Sequence, residues 1–238
     1  MFPFVTKSLY SEDNAHFQNR IMASEIKVGS EITDPWLRFK VANYLDVENV
    51  YGEITNLKTF DNKLIFFQDN AVGTAAVNER SLVTDNNIAT LTLGTGDVLE
   101  RFDYLSNFNG SAIINDKSIV DSDHALYWYD YNKNVICSLT NTVQELSKLK
   151  KVQSYLTSIY DEDIRSHVQG TYDKKYNQIW FKFDDKSLIF NEYLNVFTSF
   201  NTTVYDEAIT DVNGDIKFIE NDQQIYVKTQ TYDKLNNT

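Results

Sequence analysis

The chain reads as all-β, a β-propeller-like array of repeated antiparallel hairpins with one inserted amphipathic helix. Three observations predict this. First, the stretches Asn62–Asn70 (NKLIFFQDN), His124–Ile136 (HALYWYDYNKNVI) and Asn177–Ile189 (NQIWFKFDDKSLI) share a layout: a turn, an apolar-aromatic strand and a polar tip, with a second strand to follow. A fourth copy, Gly214–Val227, keeps the spacing with a more polar face, and repetition of one hairpin signals a modular β architecture. Second, aromatic residues make up 14% of the chain, with fifteen Tyr and fifteen Phe against eight Gly and two Pro, a mix that favours strands over disorder. Third, Leu64 and Phe66 alternate with Ile65 and Phe67, so both faces of that strand are apolar, as in a central strand packed between neighbouring sheets.

Taken in order, residues 1–17 read as an irregular arm, followed by a strand from Arg20 to Ile26. Asp34-Pro35 marks a turn, because a residue before proline is pushed out of the α region. Trp36, Leu37 and Phe39 are then expected to anchor the next segment on the core. A strand from Val50 to Phe60 leads into the first clear hairpin, Lys63–Gln68 with Gly73–Val77. The stretch 81–99 is the least regular, with a short strand at Thr90–Leu93 and a turn at Gly94–Asp97. The second unit runs through Ile113, Ile114, Ser118–Val120, Leu126–Tyr131 and Asn134–Leu139, and its Asp130, Asn132 and Asn134 suit the positive φ of hairpin tips. Thr142 with Glu145 has the form of a capping box, and Leu146, Leu149, Val152, Leu156 and Ile159 make an apolar stripe. A helix over about 142–160 is therefore expected, with Lys148, Lys150 and Lys151 facing outward. The third unit spans His167–Phe200 and the fourth Glu207–Tyr232, where Asn213-Gly214 signals a type I′ turn. The domain reading is an extended arm and first strand over 1–30 and a propeller-like domain over 31–238 carrying the helical insertion.

Charge and cysteine usage narrow the function classes. A formal charge of −12, with no basic run beyond Lys148, Lys150 and Lys151, argues against sequence-specific nucleic-acid binding, since counterion release needs clustered Lys and Arg. Partner surfaces are expected to be neutral or basic. Cys137 is the only cysteine, so neither an intrachain disulfide nor a cysteine metal site is available. It reads as a small buried apolar group, and a nucleophilic role would need His124 to come close across the hairpin. No window approaches 20 consecutive apolar residues, and the amino terminus is too short in its apolar part for a signal peptide. A chain made in a cytosol, without a transmembrane segment, is expected.

Chemical motifs are weak. Asp211–Asp215 (DVNGD) with Glu220 offers alternating carboxylate and amide oxygens, but glycine and glutamate stand at the wrong positions for an EF-hand loop. Gly94–Asp97 lacks the Lys-Ser or Lys-Thr that a phosphate loop needs. His16, His124 and His167 form no short-spaced pair of the zinc-binding kind. Asp103, Asp116, Asp121, Asp123 and Asp130 crowd one unit, yet nothing in their spacing singles out a glycosidase pair of acid and base. Tyr127, Trp128, Tyr129 and Tyr131 suggest either a sugar-stacking platform or core, and alternation sends half of them inward. No catalytic, cofactor-binding or metal-ligating residue is assigned, and no cofactor is expected.

The blocks Asn19–Ser24 (NRIMAS), Tyr51–Gln68, Val77–Leu82 (VNERSL), Leu93–Leu99 (LGTGDVL), Asp116–Val120 (DKSIV) and Ala125–Asp130 (ALYWYD) bring in a family. In wording and order they resemble propeller-bearing structural proteins of short-tailed bacteriophages, notably the tail muzzle of crAss-like phages. The likeness covers residues from about 19 to 160 and carries no catalytic residue with it. It implies a non-enzymatic virion component of the muzzle, distal tail ring or plug, made in the host bacterial cytoplasm, that acts by assembly and by gating genome release. The implied partners are other tail proteins and identical copies in a ring. Family members are longer, so the array reads as a cleaved fragment or as one completed by another polypeptide. A host-surface glycan-binding module, with platforms near Trp128 and Trp36, is the alternative, and a propeller glycosidase the third.

Overall fold

The computed structural model describes residues 17–25, 35–77, 81–84, 90–93, 99–112, 117–159, 161–184, 186–201, 205–211, 214, 216–220 and 224–227. Strands β1 (Arg20–Ser24) and β2 (Phe39–Asp46) form an antiparallel ribbon. The first sheet joins β3 (Ile54–Phe60), β4 (Lys63–Gln68) and β5 (Val72–Val77); a hairpin of β6 (Ser81–Thr84) and β7 (Thr90–Leu93) then precedes its last strand, β8 (Leu99–Ser106). The second sheet runs β9 (Val120–Asp121), β10 (Leu126–Asp130), β11 (Val135–Leu139) and β12 (Val143–Glu145). Three short helices follow, α1 (Leu146–Leu149), α2 (Gln153–Ser158) and α3 (Glu162–Ser166). The third sheet takes β13 (Gln169–Asp173), β14 (Gln178–Phe183), β15 (Lys186–Asn191) and β16 (Val196–Asn201), and the fourth β17 (Glu207–Thr210), β18 (Ile216–Glu220) and β19 (Gln224–Val227). Every pairing is antiparallel between sequential neighbours, except that β5 reaches past a hairpin to β8.

Side chains alternate across a strand, and in the middle strands both sets are apolar, so each sheet must be covered on two sides. Phe66 turns one way and packs with Ile21, Val47, Ala75 and Leu99, beneath the β1–β2 ribbon. Ile65 and Phe67 turn the other way and meet Leu126, Trp128, Val135 and Cys137 of the second sheet. Tyr127, Tyr129 and Ile136 leave the second sheet's far face for Ile179, Phe181, Leu188 and Phe190 of the third. Trp180 and Ile189 then face Tyr205, Ile216 and Phe218 of the fourth. The core is thus a series of aromatic layers, one between each consecutive pair of sheets.

Turn chemistry holds the hairpins in register. Asp61 and Asn62 both take positive φ, 49° and 57°, closing β3–β4 with the two-residue turn that matches strand twist. Asn134, Asn177 and Asn195 take the same left-handed conformation at the ends of three longer turns. The residue that opens each of these turns caps it. Asp130 accepts the Lys133 N–H at 3.1 Å, Asp173 the Tyr176 N–H at 3.2 Å, and Asn191 the Leu194 N–H at 2.8 Å. Of the tip residues expected at positive φ in the second unit, only Asn134 adopts it; Asp130 stays in the strand as the capping acceptor. Gly214, at φ 82°, bears out the expected left-handed turn residue.

Two expectations need correction. The single helix over 142–160 is two short helices preceded by a strand, because Val143–Glu145 pairs with Cys137–Leu139 and completes the second sheet. Lys151, at φ 63°, then separates α1 from α2. Glu145 bonds Lys148 and Asn109 instead of capping a helix. Of the stripe, Leu146 and Leu156 are buried whereas Leu149 is 60% exposed. Trp36, Leu37 and Phe39 do not anchor the core either, for they are 56%, 78% and 58% exposed. Ile21 of β1 and Val47 just after β2 cover the first sheet in their place.

Candidate functional site

The first strands of the sheets converge. Lys58 and Asn56 of β3, Lys117 and Ile119 before β9, Gln169 and Gly170 of β13, and Glu207 and Ala208 of β17 line one polar groove of about 450 Å³. Gly170 permits the approach: a Cβ there would lie 2.2 Å from Val120 Cγ2 and 2.6 Å from the Ser118 carbonyl oxygen. Threonines lace neighbouring first strands together. Thr171 Oγ1 donates to the Ala208 carbonyl at 3.3 Å, and Thr210 returns a bond to the Tyr172 carbonyl. Thr55 likewise donates to the Ser111 carbonyl, on the segment that leads to the second sheet. Lys117 pairs with Glu207 across the groove; both are solvent-exposed, so the pair positions more than it stabilises. Replacing Gly170 by valine is expected to force β13 away from β9 and cost about 2 kcal/mol, read as a lower urea midpoint.

Away from the groove, buried polar groups fasten one sheet to the next. Gly110 lies between the first two sheets: Trp128 Nε1 donates to its carbonyl at 3.1 Å, and its N–H reaches Asp130 at 3.3 Å. A Cβ on Gly110 would meet the Gln68 carbonyl oxygen at 2.3 Å. Gln68 is fully engaged, donating to the Glu48 and Gly52 carbonyls at 2.9 and 2.8 Å and accepting from the Tyr104 hydroxyl at 2.9 Å. Burial pushes the Asp130 carboxyl up to about 6, against the backbone N–H groups of Lys133 and Gly110 that favour its charged form. Between the second and third sheets, the Ser122 hydroxyl donates to Glu192. Tyr172 is pushed up to about 12, first by burial and then by the Glu192 carboxylate, and Tyr127 is raised for the same reasons.

A second opening, about 490 Å³, lies where the β3–β4 turn meets the loop before β10, with Asp61, Asp121, Asp123 and His124 on its walls. Asp123 is held by Lys174 at 2.9 Å. Burial raises the Asp121 carboxyl, with Lys58 pulling it back down. Asp103 stands apart on β8 beside Arg101, and Asp116 falls outside the described residues. Of the four described aspartates considered above, Asp121 and Asp123 share this opening, while Asp103 and Asp130 lie elsewhere.

The other sequence candidates disperse as well. Cys137 is fully buried opposite Trp128 in the β10–β11 register, its thiol raised by burial, while His124 is in the exposed loop before β10. His167 bonds the Asp163 carbonyl at the end of α3, and His16 lies outside the described residues. Asp211 pairs with Lys217 at 2.6 Å, and Gly94–Asp97 lies outside the described residues. Among the described residues, no group of three or more His, Cys, Asp or Glu is placed to hold a metal ion, and no helix is long and apolar enough to cross a membrane. Tyr127, Trp128 and Tyr129 are core, so the aromatic run offers no stacking platform. The lacing threonines went unnoticed in the sequence, although one falls in each of the strands β3, β13 and β17.

Comparison with known proteins follows the same direction. The family model described as Crassvirus muzzle protein matches residues 1–222. A curated relative, the "Muzzle protein" of Bacteroides phage crAss001, is 26% identical over 190 residues, covering 78% of this chain and 14% of the relative. The chain thus spans 14% of the length of the curated relative that it matches. Among solved structures, Sqt1 of Saccharomyces cerevisiae aligns over 85% of this chain and 63% of its own, at 12% identity and a TM-score of 0.37, too low to carry an argument.

Proposed function

The chain belongs to the Crassvirus muzzle protein family, and from that premise we propose that it is a structural part of a bacteriophage tail, in the muzzle, distal ring or plug. It acts through assembly and the gating of genome release and makes or breaks no covalent bond. One observation carries the reading: four consecutive sheets bring their first strands to a single groove, as blades do about a propeller axis. Aromatic layers between all consecutive sheets make such a body stiff, because close-packed interiors transmit load without yielding. Stiffness is what a tail component needs and what an enzyme lid would lack.

In this reading the propeller-like domain covers 31–238, with 1–30 as arm and first strand. Further sheets come from other parts of a longer muzzle polypeptide, and copies join in a ring. Ring contacts are heterologous, each copy offering two different faces. Exposed Leu37, Val41 and Val50 leave apolar side chains available for contact, and the charge of −12 favours neutral or basic neighbours in the tail. Quantitative mass spectrometry of purified virions is expected to find peptides of this chain in fixed integer ratio to the other tail proteins. Their absence from the particle would overturn the assignment.

A further inference from the structure

We propose that the groove where the first strands meet is a binding site for a small oxyanion, a phosphate or carboxylate group, with Lys58 as its cation and Gln169 as a second donor. Every charged side chain on the groove wall other than Lys58 is engaged, since Lys117 and Glu207 pair with each other. Lys58 and Gln169 are half-buried there. Among the described residues neither side chain makes a hydrogen bond or an ion pair. Lys58 acts through space on the Asp121 carboxyl, which lines the other opening. An ammonium has three donors and no acceptor, and a primary amide has two donors. The groove thus holds a surplus of donors that the fold leaves unused.

The wall selects an anion with several oxygens. Ile119 and Ala208 give the groove an apolar side, and an ion pair formed against apolar surface is less screened than one in open water. Charge on the wall is two ammonium groups, Lys58 and Lys117, against one carboxylate, Glu207. The chain as a whole carries −12, but at physiological salt charges further than about 8 Å away are largely screened, so the groove's own groups decide. Asn56 adds a side-chain amide to the same wall, and an oxyanion has enough lone pairs to accept from an ammonium and an amide together. Glu207 opposes the ligand. Its carboxylate repels any anion drawn to Lys58, and its hold on Lys117 keeps that ammonium from joining. Removing the Glu207 charge therefore strengthens binding, whereas loss of a merely structural contact would weaken it. This inference concerns the groove's chemistry and needs neither the tail assignment nor a ring, so either can fail without the other.

The test follows amide NMR shifts of the full chain titrated with sodium phosphate, and separately with sodium acetate, each against sodium chloride at equal ionic strength. Saturable shifts are expected at Lys58, Lys117, Gln169 and Glu207, with a Kd on the order of 1–10 mM. Preference for phosphate assigns a phosphate-bearing ligand, and equal or stronger binding of acetate a carboxylate; both outcomes support the site. Lys58→Met, which keeps the apolar stem, and Gln169→Ala, each checked for wild-type melting, are expected to weaken binding about fivefold and about twofold. Glu207→Gln is expected to tighten it about threefold. No saturation by about 50 mM, shifts matched by chloride or mapping away from the groove, unchanged affinity in Lys58→Met, or weaker binding in Glu207→Gln would overturn the proposal.

Discussion

Replacing Trp128 by alanine is expected to remove most of the chain's stability. The indole is fully buried, lies edge-on to Phe67 with ring centroids 5.3 Å apart, and holds the Gly110 carbonyl. Truncating a buried tryptophan costs about 3–5 kcal/mol from lost burial and the cavity left behind. The Gly110 carbonyl, left in a buried setting without its donor, adds about 1–3 kcal/mol. Against a typical stability of about 5–15 kcal/mol for a native protein, the variant is expected to be largely unfolded or to melt far earlier, as followed by far-UV circular dichroism under urea. Trp128→Phe separates the terms, because it keeps the aromatic contact and loses the hydrogen bond. Trp36→Ala, at an exposed position, is expected to change stability by less than about 1 kcal/mol. Equal effects at Trp128 and Trp36 would refute the layered core.

The second large effect is a dependence on pH. The folded Asp130 carboxyl titrates at about 6, above the 3.8 of an open chain, so between these values the folded state holds the proton more tightly. Its contribution to stability is therefore complete below about pH 4 and is lost as pH rises through about 6, a total of about 3 kcal/mol. The groups that act on it are the backbone N–H donors of Lys133, Gly110 and Asn132 and the Lys133 ammonium, all of which favour its charged form against burial. Other carboxyls shift too: burial raises Asp69 and Asp121, while their ion-pair partners hold Asp46 and Glu145 down. Comparing wild type with Asp130→Asn cancels those terms. Unfolding free energies from urea titrations between pH 4 and 7.5 are expected to fall by about 3 kcal/mol more in the wild type than in the variant. Parallel profiles would show that this carboxyl is not held between the sheets as described.

Much of the fold was legible because strand alternation is a local property. Leu64–Phe67 is apolar at both parities, and that alone implied cover on two faces, which the layers on either side of β4 supply; at Leu126–Tyr129 alternation implied only that half point inward, and the layers on both sides of β10 bury all of them. Asn62, Asn134 and Gly214 announced their turns because few residues tolerate positive φ. The helical insertion was misread for an equally physical reason. Thr142 to Ile159 satisfies helical spacing, but free β11 backbone claimed Val143–Glu145 as a fourth strand. Trp36, Leu37 and Phe39 carried the apolarity of a core without its location. The candidate site was the least legible part, since its groove draws Lys58, Gly170 and Glu207 from three separate sheets and Lys117 from the segment leading into a fourth.

By itself, then, the order of residues determined the hairpins, their turns and the two-faced apolar character of the middle strands, all of which depend on neighbours a few positions away. Tertiary structure alone decided that Trp128 is core and no sugar platform, that Asp130 is sealed against Gly110, and that the first strands meet at one groove. Those outcomes come from packing between segments as far apart as Lys117 and Glu207, where side-chain volume and burial act and local periodicity has no say.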